Sequence, residues 1–174
     1  MRKVIFAFAV ALCFGTQAQN IEESKMDKAT KQYSIITKTA TLFKGNIQDA
    51  TDMEIGFYST GNIQYISLTG TSHYRLTLKD KITFQFQNDS TVTISFAKPQ
   101  SAEYSSPSYN LDFSFIVTAS NIQLFSNSPL KSVQIYTTSD PINRDINKNK
   151  ANEIMDIANS FQNEYSGKVS KSTN

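Results

Sequence analysis

Residues 74–96 read YRLTLKDKITFQFQNDSTVTISF, and the even-numbered positions Tyr74, Leu76, Leu78, Ile82, Phe84, Phe86, Val92, Ile94 and Phe96 are all apolar. Most odd positions between them are Arg, Thr, Lys, Gln or Ser. Successive side chains of a strand point to opposite faces, so this alternation sends one set to a core and the other to water. That is the pattern of half-buried antiparallel strands. Asn88-Asp89 tolerates the positive φ of a tight turn, which predicts that 81–87 and 90–96 pair as a hairpin. Lys79-Asp80-Lys81 is expected to turn the chain just before it, and Thr83, Gln85, Thr91, Thr93 and Ser95 to stay hydrated on its outer face.

Working outward, 33–43 is rich in Thr and Ile, 53–58 alternates through Met53, Ile55 and Phe57, and 63–69 carries Ile66 and Leu68. These read as three more strands, separated by Gly45-Asn46, Gly61-Asn62 and Gly70. Downstream, Leu111, Phe113, Phe115 and Val117 alternate with polar residues, and 131–137 carries Val133 and Ile135. Ser120 to Phe125 reads as one capped helical turn that Pro129 keeps short. Ala151, Ile154, Met155, Ala158, Phe161 and Tyr165 recur at spacings of three and four, an amphipathic helix that Gly167 is expected to end. The expected fold is mainly β: an antiparallel β-sandwich or open barrel of about eight strands with one C-terminal amphipathic helix packed on it.

The chain start reads as an export signal. Arg2 and Lys3 precede the apolar run Val4 to Phe14, and Thr16-Gln17-Ala18 supplies small residues at the positions a signal peptidase inspects. A run of about eleven residues is too short to span a hydrocarbon core, which takes about twenty, so the segment predicts export to periplasm or medium without a membrane span. Leu12 disfavours lipidation of Cys13, and the mature chain would then contain no cysteine, hence no disulfide, thiolate nucleophile or Cys-ligated zinc. Losing Arg2 and Lys3 leaves fifteen Lys plus Arg against fifteen Asp plus Glu, a balance that argues against nucleic acid as a partner. The division follows: 1–18 signal, 19–31 a polar, mobile lead-in, 32–166 one domain, and 167–174 a frayed tail.

No constellation in the mature part specifies one chemistry. His73, beside Ser72, is the only histidine, and no nucleophile-elbow Gly-x-Ser-x-Gly occurs to complete a triad. Glu54 and Asp112 lie on predicted strands, where a carboxylate pair for glycoside hydrolysis would need to face one substrate. Asp145, Asn147, Asn149 and Asp156 occupy positions one, three, five and twelve of a loop whose spacing resembles the EF-hand family. Lys150 stands where the turn needs glycine and Asp156 where it needs a bidentate glutamate, so Asn147 or Asn149 is read as a helix cap and neither metal nor cofactor is assigned. The segment 98–110 is the longest break between strands, and Tyr104 and Tyr109 on it are the candidate contacts for a sugar or a protein partner. Asn88-Asp89-Ser90 is a glycosylation sequon, with Ser90 the candidate O-linked position at the hairpin tip.

The run from the Phe-rich alternating strands through the short helical turn to the final helix, 74–161, resembles small exported bacterial β-rich proteins of unknown function. That resemblance implies no activity. The expectation is a non-enzymatic exported module that binds a protein or cell-envelope component. Its alternatives are a carrier of apolar ligands with an aromatic-lined barrel and a carboxylate-based hydrolase.

Overall fold

The computed structural model describes residues 19–45, 51–96 and 100–172, with side chains up to Lys168. The predicted signal 1–18, Asn46 of the Gly45-Asn46 turn, and Lys98 and Pro99 of the long connection lie outside them. In chain order the elements are β1 (Ile21–Met26), β2 (Tyr33–Thr37), β3 (Ala40–Phe43), β4 (Thr51–Thr60), β5 (Ile63–Ser72), β6 (Thr77–Phe86) and β7 (Thr91–Ser95). There follow β8 (Gln100–Ser101), β9 (Glu103–Ser105), β10 (Ser108–Val117), α1 (Ala119–Asn127), β11 (Leu130–Thr137), β12 (Ile142–Asp145) and α2 (Lys148–Ser172).

Two antiparallel sheets share the strands. The larger runs β1-β2-β4-β5-β10-β9, with β3 also on β4; the smaller runs β12-β11-β6-β7, with β8 also on β6. Among the described residues neither sheet closes on itself, so no closed barrel forms, and the two packed sheets are consistent with the expected sandwich. The predicted hairpin is present as β6 and β7, turning through Asp89 at φ 62°. Thr91, Thr93 and Ser95 are exposed on its outer face, and Thr83 and Gln85 half-buried.

Lys79-Asp80-Lys81 is not a turn. It lies inside β6, where the register against β11 jumps from Ile135↔Ile82 to Thr137↔Leu78. The extra residues bulge from the ladder, which lets three polar side chains pass without ending the strand. Similarly, the single strand expected over 33–43 is split. β2 and β3 both pair with β4, and at the break the Thr37 hydroxyl accepts the Phe57 N–H at 3.0 Å, replacing the ladder bond the bend removes.

The lead-in expected over 19–31 contains β1, antiparallel to β2. Its turn is closed by the Asp27 carboxylate, which accepts the N–H groups of Ala29 and Thr30, both at 2.8 Å; these bonds hold its pKa below the usual carboxylate value. The helical turn predicted at Ser120 is a nine-residue helix capped two residues earlier, with Thr118 and Asn121 forming a capping box. α2 begins after Asn147, whose side-chain oxygen accepts the Lys150 N–H at 3.0 Å. It runs through Gly167 to Ser172 rather than stopping at Gly167. That glycine has no positive φ, the backbone state by which a glycine ends a helix. Its buried stripe is Ala151, Ile154, Ile157, Ala158 and Phe161, with Met155 only half-buried.

α1 carries the chain from β10 of the larger sheet to β11 of the smaller, and its Phe125 fills the space between them. The Phe125 ring meets Phe57 of β4 at 5.5 Å and Phe84 and Phe86 of β6 at 5.1 and 4.9 Å, all edge-on. Phe161 of α2 reaches Phe57 at 6.2 Å, and at the other side Phe96 meets Phe115 at 5.1 Å. The aromatic side chains thus pack on one another. α2 lies on β2, β3 and β4 and touches α1 and β11, extending the layer that covers the larger sheet. Among the described residues no helix is long and apolar enough to cross a membrane.

Asp52 ties β4 to the end of β3. Its carboxylate accepts the Gly45 N–H at 2.8 Å and pairs with Lys44 Nζ at 3.1 Å, which holds its pKa below the usual carboxylate value. A carboxylate depressed in the folded state stabilises fully above its unfolded pKa of about 3.9 and loses that contribution as pH falls through the folded value. The side chain is 44% exposed, so solvent screening keeps the contribution below about 1 kcal/mol. Urea midpoints of wild type and Asp52→Asn are expected to differ at pH 7 and to converge near about pH 2. A gap that stays constant across that range would show that the charge contributes nothing.

Candidate functional site

Strand alternation buries one face of the larger sheet and leaves the other to solvent. The buried side carries Met53, Ile55 and Phe57 of β4, Ile66 and Leu68 of β5, and Leu111, Phe113 and Phe115 of β10. On the outer side the registers Ile36↔Tyr58, Tyr58↔Tyr65 and Tyr65↔Ile116 place four apolar or aromatic residues in one straight row across β2, β4, β5 and β10. The two tyrosine rings stack with centroids 4.4 Å apart and planes 3° from parallel. Ile36 is 38% exposed, Ile116 68%, and Ile63, at the nearby hairpin end, 46%. The row is a ridge: two stacked, half-buried rings stand side by side between two exposed isoleucines.

Next to the ridge runs a low row. Gly56↔Ser67↔Ser114 carries the smallest side chains on the sheet, and a Cβ on Gly56 would lie 2.9 Å from the Ser67 hydroxyl and 3.2 Å from Thr39. Beyond it, Glu54↔Thr69↔Asp112 carries two carboxylates. Glu54 accepts the Thr39 hydroxyl at 2.6 Å. Asp112 has no cationic partner among the described residues. Along the strands, three successive rows of the outer face therefore pass from apolar to small to acidic.

The residues expected to carry function fall as follows. Tyr104 and Tyr109 are brought together, because the segment expected to be a long loop folds as the β9–β10 hairpin with Tyr104 directly opposite Tyr109. Their rings meet edge-on at 5.2 Å; Tyr109 packs against the core and Tyr104 stays 66% exposed. Tyr109 shares the inward phase of Thr51 and Ser72, so this pair faces away from the ridge. Ser90 is half-buried at its hairpin tip and donates its hydroxyl to Asn88 Oδ1 at 2.6 Å.

Glu54 and Asp112 do share one row, but they are two strands apart, about 10 Å, on the open outer face. Ser72 is fully buried, its hydroxyl 3.2 Å from Thr51 Oγ1 and accepting the Tyr74 N–H at 3.3 Å, while His73 is exposed beyond the end of β5. Asp145 closes β12, and Asp156 sits two turns into α2, so the calcium-like spacing is divided between a strand end and a helix. No group of three metal-ligating side chains occurs among the described residues.

A polar cleft of about 270 Å3 opens between the β5–β6 connection and the β11–β12 hairpin, lined by Tyr74, Arg75, Thr137, Asp140, Pro141 and Arg144 among others. Arg144 is already engaged there, its guanidinium 5.7 Å from the centre of the Phe43 ring and donating to the Asn143 carbonyl.

The ridge residues are absent from the expected set, yet they leave a mark in the sequence. Each stands next to an inward-facing apolar residue and so doubles it: Ile35-Ile36, Phe57-Tyr58, Tyr65-Ile66, and Phe115-Ile116-Val117. A doublet in an alternating strand means that the outward phase is apolar as well.

Comparison with protein-family models, with curated proteins and with solved structures gives no match.

Proposed function

We propose that this protein is a non-enzymatic binding module, exported to the periplasm or the medium, that engages a protein or cell-envelope component through the outer face of its larger sheet. One observation carries the reading: the cross-strand row Ile36, Tyr58, Tyr65 and Ile116 points outward where alternation elsewhere places polar side chains. Two exposed isoleucines flanking two half-buried tyrosines form a contiguous outward apolar row, and such a row on a folded domain supports an interaction surface. Tyrosine adds large contact area with little side-chain entropy to lose, and its hydroxyl satisfies a polar neighbour.

A photo-crosslinking residue at position 36, introduced into the full chain in its own host, is expected to give a discrete product absent when the same residue replaces Thr93 on the smaller sheet. The combined variant Tyr58→Thr, Tyr65→Thr is expected to lose that product while remaining folded. The stacked pair contributes only about 0.5–1.5 kcal/mol beyond its burial. Equal products from positions 36 and 93, or a product indifferent to loss of both tyrosines, would refute the assignment.

A further inference from the structure

The larger sheet does not end uniformly. β10 pairs with β5 along its whole working length, from Tyr109↔Ser72 to Val117↔Gln64, but on its other side β9 accompanies it only from Ser108 to Asn110. The chain enters that lane only at Glu103: the preceding residue, Ala102, donates its N–H to the Leu76 carbonyl at 2.8 Å, by the start of β6. Among the described residues, 111–117 therefore has a strand on one side only. In an antiparallel ladder every second residue turns its N–H and C=O to the same side, so among the described residues nothing pairs with this edge over about 24 Å.

Proteins usually blunt such edges with Pro, Lys, a bulge or a short strand. The stretch Leu111, Asp112, Phe113, Ser114, Phe115, Ile116 and Val117 contains neither Pro nor Lys, and its register with β5 is unbroken. The opposite edge differs: β1 carries Glu22, Glu23 and Lys25 and slips register between Ile21 and Glu23. β12, an edge of the smaller sheet, is four residues long.

We propose that the free edge of β10 receives an extended segment of a partner protein as an added antiparallel strand, its outward side chains read by Ile116 and Asp112. The inference rests on the outer face being the docking surface, and it names what docks there. Backbone pairing supplies general affinity for extended peptide, and alternate side chains supply choice. The outward residues of the edge are Asp112, Ser114 and Ile116, four positions apart at the extremes. Ile116 continues into the Tyr65–Tyr58 ridge, so the facing residue should be apolar.

Asp112 has Glu54 in its own row, and Glu103 opposite Asn110 one row beyond; neither Asp112 nor Glu103 has a cationic partner among the described residues. The residue facing Asp112 should be basic, since opposite charges across strands attract and like charges repel. An antiparallel strand meets Ile116 before Asp112. The preferred occupant therefore carries a Lys or Arg four residues C-terminal to an apolar side chain.

The test uses the full chain and an end-blocked heptapeptide, Thr-Ile-Val-Thr-Val-Lys-Thr, in which Ile faces Ile116 and Lys faces Asp112. Three companions are needed: the Lys-to-Glu peptide and two versions N-methylated at alternate residues in opposite phases. Binding is expected to slow amide exchange within 111–117 by about tenfold or more and to be about tenfold weaker for the Glu peptide. One N-methyl phase should abolish binding and the other leave it intact. Asp112→Lys should invert the Lys-over-Glu preference, and Ile116→Lys should weaken every peptide; both positions are exposed, so neither change threatens the fold.

No binding up to about 1 mM would overturn the proposal, as would binding that leaves 111–117 exchanging freely or a preference unchanged in Asp112→Lys. Slowed exchange that needs only a higher protein concentration, with a doubled mass, would make the occupant a second copy of this chain and overturn it as well. If the peptides fail while crosslinking from position 36 persists, strand addition is wrong and the outer face still docks a partner. If both fail, both readings fall.

Discussion

Truncating Phe125 to alanine is expected to destabilise the protein by about 3–5 kcal/mol, the range for removing a buried aromatic ring and leaving part of its volume empty. The ring is 1% exposed, and among the described residues no other side chain is in ring contact with both sheets: it meets Phe57 on one and Phe84 and Phe86 on the other. Its loss leaves the edges of three phenylalanines facing a void that helix α1, only nine residues long, is poorly able to collapse. Against a total stability of about 5–15 kcal/mol for an ordinary domain, that is a large share. Phe125→Leu should recover much of it by refilling the volume. The check is the shift of the urea midpoint at constant slope, and a loss under about 1 kcal/mol would mean that the sheets are held together elsewhere.

Gly70→Ala is expected to be nearly as damaging, by a different cause. Gly70 sits in β5 at φ 149°, and a Cβ there would lie 2.1 Å from the Asp52 carbonyl oxygen and 3.0 Å from its carbon. Both are backbone atoms, so no rotamer change relieves the overlap; β4 and β5 must separate at the register Met53↔Gly70. Overpacking costs about 1–3 kcal/mol and an unfavourable φ about as much again, so a loss of about 2–5 kcal/mol follows. The shift also displaces Asp52, whose carboxylate holds Gly45 and Lys44. Gly167→Ala is the matched control. Nothing lies within 4 Å of its Cβ, and a helical interior prefers alanine by about 0.5–1 kcal/mol, so thermal melting should rise slightly. Equal effects of the two substitutions would remove the steric account of Gly70.

Period-two alternation made β6, β7 and β10 legible, because each has one face in the core and one in water. The stripe of α2 was equally readable, except that Ile157 rather than Met155 turned inward. What escaped depends on partners. β1 is too polar to announce itself and exists as a strand because β2 pairs with it. Lys79-Asp80-Lys81 has the composition of a turn, yet the partner strand β11 carries the ladder past it as a bulge. The Tyr104–Tyr109 hairpin lies in a Ser- and Pro-rich segment whose composition reads as loop. The ridge escaped for the opposite reason: Ile36, Tyr58, Tyr65 and Ile116 are scattered over eighty residues of sequence, and only sheet order and register align them. No property of one strand predicts a row that crosses four.

Asn20 donates its side-chain amide to Ser160 at 3.1 Å, Ser24 donates to Glu164 at 2.6 Å, and the Tyr165 hydroxyl donates to the Asn62 carbonyl at 3.3 Å. The last helix is thus the lid over the first strands, fastened to residues 140 positions earlier. Synthesis proceeds in the other direction: β1 to β4 are made before α2, and Phe161, which joins Phe125 in covering Phe57, arrives more than a hundred residues after it. Ladders can form early, but Phe57 lacks this second ring until α2 exists. Closing so long a loop is slow compared with local pairing. Completion of the fold is therefore tied to synthesis of α2, and every intermediate without it presents an unsealed apolar face to whatever holds nascent polypeptides.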